Sequence, residues 1–178
     1  MRYFRFLGMV PAFLLITAQA SAQTFVEYQN LFSDSGVAPT FDGLLTGKGK
    51  TMDAFGWFLV SETWSEAVVG VAKSIRPWMS VSVGVGVDTD DNPWRVGPNV
   101  WVGNDRVSSF LILEYGGSGF WYRSMSFAKL GSRVEGGVHS QRFYGTGPAI
   151  QVSLNKGYKV WVSGVSGPKS LIAITKSF

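Results

Sequence analysis

The sequence has no cysteine, a single histidine at His139 and, beyond residue 22, no apolar run approaching the roughly 20 residues that a membrane-spanning helix needs. The first absence means that no disulfide can brace the fold, which must be held by burial and hydrogen bonding alone. The last absence excludes a helical membrane protein. Basic residues are not clustered among aromatics, so a nucleic-acid partner has no support. Nor is there a phosphate-cradling glycine loop, because Gly84 and Gly86 sit inside a strand pattern with no helix after them. What the chain does have is an unusual pairing of 46% hydrophobic and 15% aromatic content with 22 glycines. High apolar content without spanning helices leaves a buried β-sheet core, or strands that turn apolar side chains outward to lipid.

The first residues carry Arg2 and Arg5, then an apolar run from Phe6 to Ile16, then Ala20-Ser21-Ala22 before Gln23. This is the order of a secretory signal peptide, so residues 1–22 are expected to direct export through the general secretory route and to be cleaved after Ala22. The run is too short for an anchor. The mature domain would then be 23–178. Of the 16 basic residues, losing Arg2 and Arg5 leaves 14 against 12 acidic ones, so the mature chain is close to neutral. About 150 residues suffice for one domain.

The clearest segment runs from Met79 to Asp88. Met79, Val81, Val83, Val85 and Val87 alternate without a slip against Ser80, Ser82, Gly84 and Gly86. A soluble sandwich strand usually shows Thr, Lys or Glu on its wet face, whereas here that face is Gly and Ser. Small residues suit a confined interior, and five aliphatic groups on one face suit a lipid band about 25 Å tall. The valine face is therefore expected to meet lipid and the Ser/Gly face the lumen. Residues 149–154 repeat the pattern, with Ile150, Val152 and Leu154 lipid-facing and Gln151 and Ser153 lumen-lining.

Turn signals fall at short, even intervals: Gly47 to Lys50, Arg76-Pro77, Asp90 to Pro93, Gly103 to Asp105, Gly116 to Gly119, Leu130 to Ser132, Gly145 to Gly147, Asn155 to Gly157 and Ser166 to Pro168. Between them lie eleven strands beginning near Thr24, Asp53, Glu66, Trp78, Val96, Arg106, Phe120, Arg133, Pro148, Tyr158 and Ser170. Bacterial single-chain barrels have even strand numbers, and Thr40 to Thr46 supplies a twelfth. Twelve strands put the turns at Gly47, Arg76, Gly103, Leu130 and Asn155 on the periplasmic side and the polar Asp88 to Trp94 loop outside. Ten strands is the alternative.

The last strand sets Ile172, Ile174 and the terminal Phe178 on one face. Here the chain resembles the outer-membrane β-barrel superfamily, whose members commonly end on an alternating strand with a terminal Phe. The resemblance implies that Phe178 is an assembly signal read by the barrel-assembly machinery, with outer-membrane lipids as the other partner. Lys176 departs from the usual apolar residue, but it lies near the expected membrane edge, where lysine can snorkel. No particular ligand or catalytic residue comes with the resemblance.

Phe120 to Phe127 is aromatic on both faces at its start, and turning Trp121, Met125 and Phe127 to lipid would take Arg123 with them. Aromatics beside turns, including Phe55, Trp57, Phe58, Trp64, Trp78, Trp94, Tyr115, Trp121 and Phe143, read as interface girdles. His139 and Ser140 suggest a lipid hydrolase, yet strand neighbours point to opposite faces and cannot form a dyad with each other, so a serine from another strand would be needed. Asp88, Asp90 and Asp91 lack the Gly and distal Glu of a calcium loop. The charged residues Glu27, Glu62, Glu66, Lys73, Arg95, Arg106, Glu114, Arg123, Arg133 and Glu135 can pair into a plug or line a narrow pore wherever they point inward.

These readings converge on an all-β, antiparallel up-and-down transmembrane barrel. It would be non-enzymatic and without a cofactor, and would serve as a narrow porin-like channel for small solutes or as a structural protein of the bacterial outer membrane. The competing readings are an outer-membrane lipid hydrolase, and a soluble periplasmic barrel that binds an apolar ligand with its apolar faces inward.

Overall fold

The computed structural model describes residues 24–178; the expected signal peptide lies outside them. Twelve antiparallel strands follow one another: β1 (Phe25–Ser33), β2 (Gly36–Gly47), β3 (Asp53–Ser61), β4 (Ser65–Arg76), β5 (Met79–Asp88), β6 (Trp94–Gly103), β7 (Val107–Gly116), β8 (Gly119–Lys129), β9 (Val134–Gln141), β10 (Gly145–Ser153), β11 (Tyr158–Val165) and β12 (Lys169–Ser177). Each pairs with its sequence neighbours, and β1 closes on β12 from Phe25 opposite Ser177 to Phe32 opposite Ser170. Closure leaves no unpaired edge, the condition for a sheet to stand in hydrocarbon.

Strand boundaries follow the turn chemistry with two differences. β2 begins at Gly36, four residues before the expected start, and pairs Pro39 with Asn30. β10 begins at Gly145, so Gly145 to Gly147 is strand and not turn: these residues pair with Gln141, Ser140 and His139. The turn is Arg142 to Tyr144, where Phe143 itself takes a positive φ of 72°. The glycines that signalled a turn therefore lie one step beyond it. Pro98 interrupts the β6–β7 ladder, whose pairs jump from Val96–Tyr115 to Asn99–Ile112, because proline brings no N–H. Gly119 opens β8 at φ 92°, which a side chain would resist.

The outer wall is apolar. Val83, Val85, Val87, Val69, Val71, Ile150, Ile172 and Ile174 are all exposed, Val85 to 62%. Wide apolar exposure of this kind on a monomer marks a surface made for something other than water. The interior holds two apolar clusters. One gathers Phe55, Trp57, Leu59, Val68, Ile112 and Trp121, and the other centres on Met125, Phe127, Trp161, Leu171 and Ala173.

Candidate functional site in the barrel interior

The inward faces carry polar groups that the apolar clusters cannot satisfy, and these groups assemble into two networks. On the β4–β7 wall, Arg95 Nε lies 3.3 Å from Asp88 and 3.6 Å from Glu66, and its terminal nitrogen lies 3.7 Å from Glu114. Arg95 donates to the Gly119 carbonyl at 2.8 Å and stacks over Trp64 at 5.3 Å. Trp57 Nε1 donates to Glu66 at 2.9 Å, and Ser118 Oγ to Asp88 at 2.6 Å. Asp88, read from sequence as the start of a solvated loop, thus turns inward as the last residue of β5.

The second network spans β8, β1 and β2. Arg123, 1% exposed, donates to Glu27 at 2.5 Å and to Asp42 at 2.9 Å. Gln29 Nε2 donates to both carboxylates, and Glu27 also accepts from Trp161 Nε1 at 2.6 Å and Thr175 Oγ1 at 2.5 Å. This network settles the conflict in β8: Trp121, Arg123, Met125 and Phe127 all point inward, and Ser124 and Ser126 take the outer face. Burying Arg123 between two carboxylates costs less than showing it to hydrocarbon, while two serines outside cost little. His139 is also buried, its ring 5.2 Å from that of Trp161. Ser140 faces the other way and hydrogen-bonds Thr146, so the two do not meet.

Of the charged residues singled out in the sequence, Glu27, Glu66, Arg95, Glu114, Arg123 and Glu135 share the interior, while Glu62, Lys73, Arg106 and Arg133 are exposed. Sequence reasoning missed Asp42, whose signal was its parity with Thr40 and Thr46 in β2. It also misassigned Phe55, Trp57 and Trp121, which belong to the buried interior and not to a girdle. In Phe55 to Val60 both parities are apolar, so pattern could not choose a face. Trp94 and Tyr115 do pair edge-on outside, with centroids 5.8 Å apart.

Between the networks and the end that bears Thr24 and Phe178 lies a chamber of about 210 Å³. Ser80, Ser82 and Gln151 line it, and Glu27 and Arg123 reach its inner end. Gly84 and Gly86 face the same way as Ser82 but are covered: a Cβ at Gly84 would come within 2.8 Å of the Phe55 ring, and one at Gly86 within 2.7 Å of Val68. Ser153 is half-buried at the chamber-side end of β10, close to the Lys159–Glu135 pair, where Gln151 also hydrogen-bonds Glu135. Met79 and Val81 are half-buried and Val152 and Leu154 exposed on the outer wall.

A closed barrel of this size has solved counterparts. The KdgM porin aligns with a TM-score of 0.57 at 13% identity, covering 86% of this chain and 99% of that one. Their shared feature is the fold. A second KdgM porin structure, in complex with disordered oligogalacturonate, aligns equally well. The NanC porin aligns with a TM-score of 0.51 at 14% identity, over 87% of this chain and 98% of its own. No family model matches the chain, and no curated protein matches it significantly. Among the described residues no group of three or more His, Cys, Asp or Glu is arranged to hold a metal ion.

Proposed function

We propose that the mature chain, residues 23–178 after removal of the leader, is a β-barrel of the bacterial outer membrane that works as a narrow, constricted channel for small solutes. The observation that carries the reading is the division of the wall: an apolar exterior, and an interior where two arginine–carboxylate networks and packed aromatics stand beside a chamber of about 210 Å³. Arg123 lines that chamber beside Glu27, which sets fixed charge at its inner end. Met79, Val81, Val83, Val85, Val87, Ile150, Val152 and Leu154 meet lipid in this reading, and the end bearing Phe178 faces the periplasm. A lipid hydrolase loses support because His139 is buried against Trp161 and no serine hydrogen-bonds either of its ring nitrogens. The same fold carries porins, which favours a channel over an enzyme.

Single-channel recording in a planar bilayer tests this. Small, resolved conductance steps are expected. A flat record at high protein load would leave only the structural role, and recovery of the mature chain from the soluble periplasmic fraction would remove the membrane reading altogether.

A further inference from the structure

We propose that the Phe178 end of the barrel carries a basic collar that gathers anionic phospholipid headgroups from the leaflet around it. The inference rests on the membrane reading but not on conduction.

The charges of the chain are sorted along the barrel axis. Each of the five turns at this end holds or adjoins a basic residue: Lys48 and Lys50, Arg76, Arg106, Arg133 and Lys156. Lys73, Lys129, Lys159 and Lys176 stand on the strand ends beside them. Among the described residues, ten basic groups at this end thus face three acidic ones, Asp53, Asp105 and Glu135. Of these, only Lys159 and Glu135 come within ion-pair reach, at 3.7 Å. The opposite rim reverses the sign: Asp34, Glu62, Asp90 and Asp91 are exposed there, against half-buried Arg142 and Lys169.

Where the cations point selects the partner. A soluble acidic partner would meet the turns at the tip of the barrel, but three cations stand on the outer wall itself. Lys73 is exposed and shares the outer face of β4 with exposed Val69 and Val71. Arg76 follows a bulge and stands opposite Met79 of the outer wall. Lys176 shares the outer face of β12 with Ile172 and Ile174. Its Nζ donates to the Lys156 carbonyl and lies 5.0 Å from the ring centre of Tyr158 and 5.2 Å from that of Phe178. Trp78, Tyr158 and Phe178 are all exposed at this end. Cations that reach out from an apolar wall among amphipathic aromatics match the headgroup layer, where the stem lies along acyl chains and the charge sits among phosphates. A ring that runs through every turn matches a surrounding leaflet, not a partner docked on one side. Uncompensated cations at such a surface draw lipids of net negative charge over zwitterionic ones, whose own ammonium cancels the phosphate.

Quenching by brominated lipid tests this at both ends of one molecule. Trp78 lies next but one to Arg76 and reports on the collar, and exposed Trp94 reports on the acidic rim. The folded mature barrel is placed in phosphatidylcholine vesicles at low salt, with the same mole fraction of either phosphatidylglycerol or phosphatidylcholine brominated near the headgroup. Subtracting the signal of Trp78→Phe, or of Trp94→Phe, isolates each reporter. Phosphatidylglycerol should be enriched about fivefold over phosphatidylcholine at Trp78, the weight of one surface cation, and not at Trp94. The enrichment should fall toward unity in about 1 M salt, where the screening length is about 3 Å, and in the variant Lys73→Gln, Arg76→Gln, Lys176→Gln. Equal quenching by the two lipids at Trp78 would leave the collar to water or to a soluble acidic partner and overturn the proposal. So would equal enrichment at Trp94, or enrichment at Trp78 that survives salt or the folded triple variant. The salt titration uses the parent chain, so it decides the matter even where the triple variant does not fold. Failure of the parent to insert into phosphatidylcholine alone, read by heat-modifiable migration, would remove the membrane reading and the collar with it.

Discussion

Replacing Arg123 with methionine isolates what the second network contributes. The guanidinium reaches Glu27 at 2.5 Å and Asp42 at 2.9 Å. At an effective dielectric of about 20, each contact is worth on the order of 5 kcal/mol of gross attraction. Most of that gain offsets the cost of taking three charges out of water, so the intact network adds little net stability. Removing the arginine alone leaves the cost and deletes the gain: two carboxylates stay buried side by side with only Gln29, Trp161 and Thr175 to bond them. Breaking a buried pair in this way costs about 3 to 5 kcal/mol. With a urea dependence of roughly 1 to 3 kcal/mol per molar, the unfolding midpoint in micelles should fall by about 1 to 5 M, read from tryptophan fluorescence and from heat-modifiable migration. The triple variant Arg123→Met, Glu27→Gln, Asp42→Asn removes the charges together and should recover to within about 1.5 kcal/mol of the parent. If Arg123→Met alone keeps the parental midpoint, the carboxylates are not held as a buried charged set and the reasoning fails.

Further expectations follow from the same wall. Val83, on the outer face near the middle of β5, should tolerate leucine but lose about 2 to 4 kcal/mol on change to arginine in lipid; equal folding yields for the two variants in vesicles would place that face away from hydrocarbon. Gly84→Val should cost about 1 to 3 kcal/mol by driving a side chain into the Phe55 ring and Val68, and adding Phe55→Ala should recover part of the loss; purely additive losses in urea titrations would contradict the covered-glycine geometry. Deleting Phe178 should lower membrane yield at matched expression while the inserted fraction keeps near-parental urea resistance; undiminished yield would show that the terminal aromatic is no assembly signal.

The architecture was legible because its signals are local. Strand and turn alternate on a scale of ten residues, and β5 announces its faces through nine residues that alternate without a break from Met79 to Val87. Even where a turn was misplaced, as at Gly145, the strand count survived, since a shift of three residues moves a boundary without removing a strand. The networks were not legible for the opposite reason. Arg123 meets Glu27 across 96 positions of sequence and Asp42 across 81, and nothing local records that the closing β1–β12 seam brings them together. The face of β8 depends on that meeting. Until Glu27 and Asp42 are known to stand opposite, an arginine in an aromatic strand can be assigned to either side.

The glycines of the inner wall carry a more general consequence. Read from sequence, Gly84 and Gly86 face the lumen, because small residues suit a confined interior. A barrel of twelve strands encloses more volume than residues projecting straight inward from every strand can fill, and an apolar void there would forfeit packing. Long side chains on neighbouring strands lean across to fill it, and they need a wall without Cβ atoms to lie against. Phe55 lies over Gly70 and Gly84 in this way, Val68 over Gly86, and the Arg95 stem against Gly116. The glycines thus mark where the interior is most crowded. The chamber therefore lies along the serine-lined end of β5, beside Ser80 and Ser82, and stops short of the glycines that Phe55 and Val68 cover.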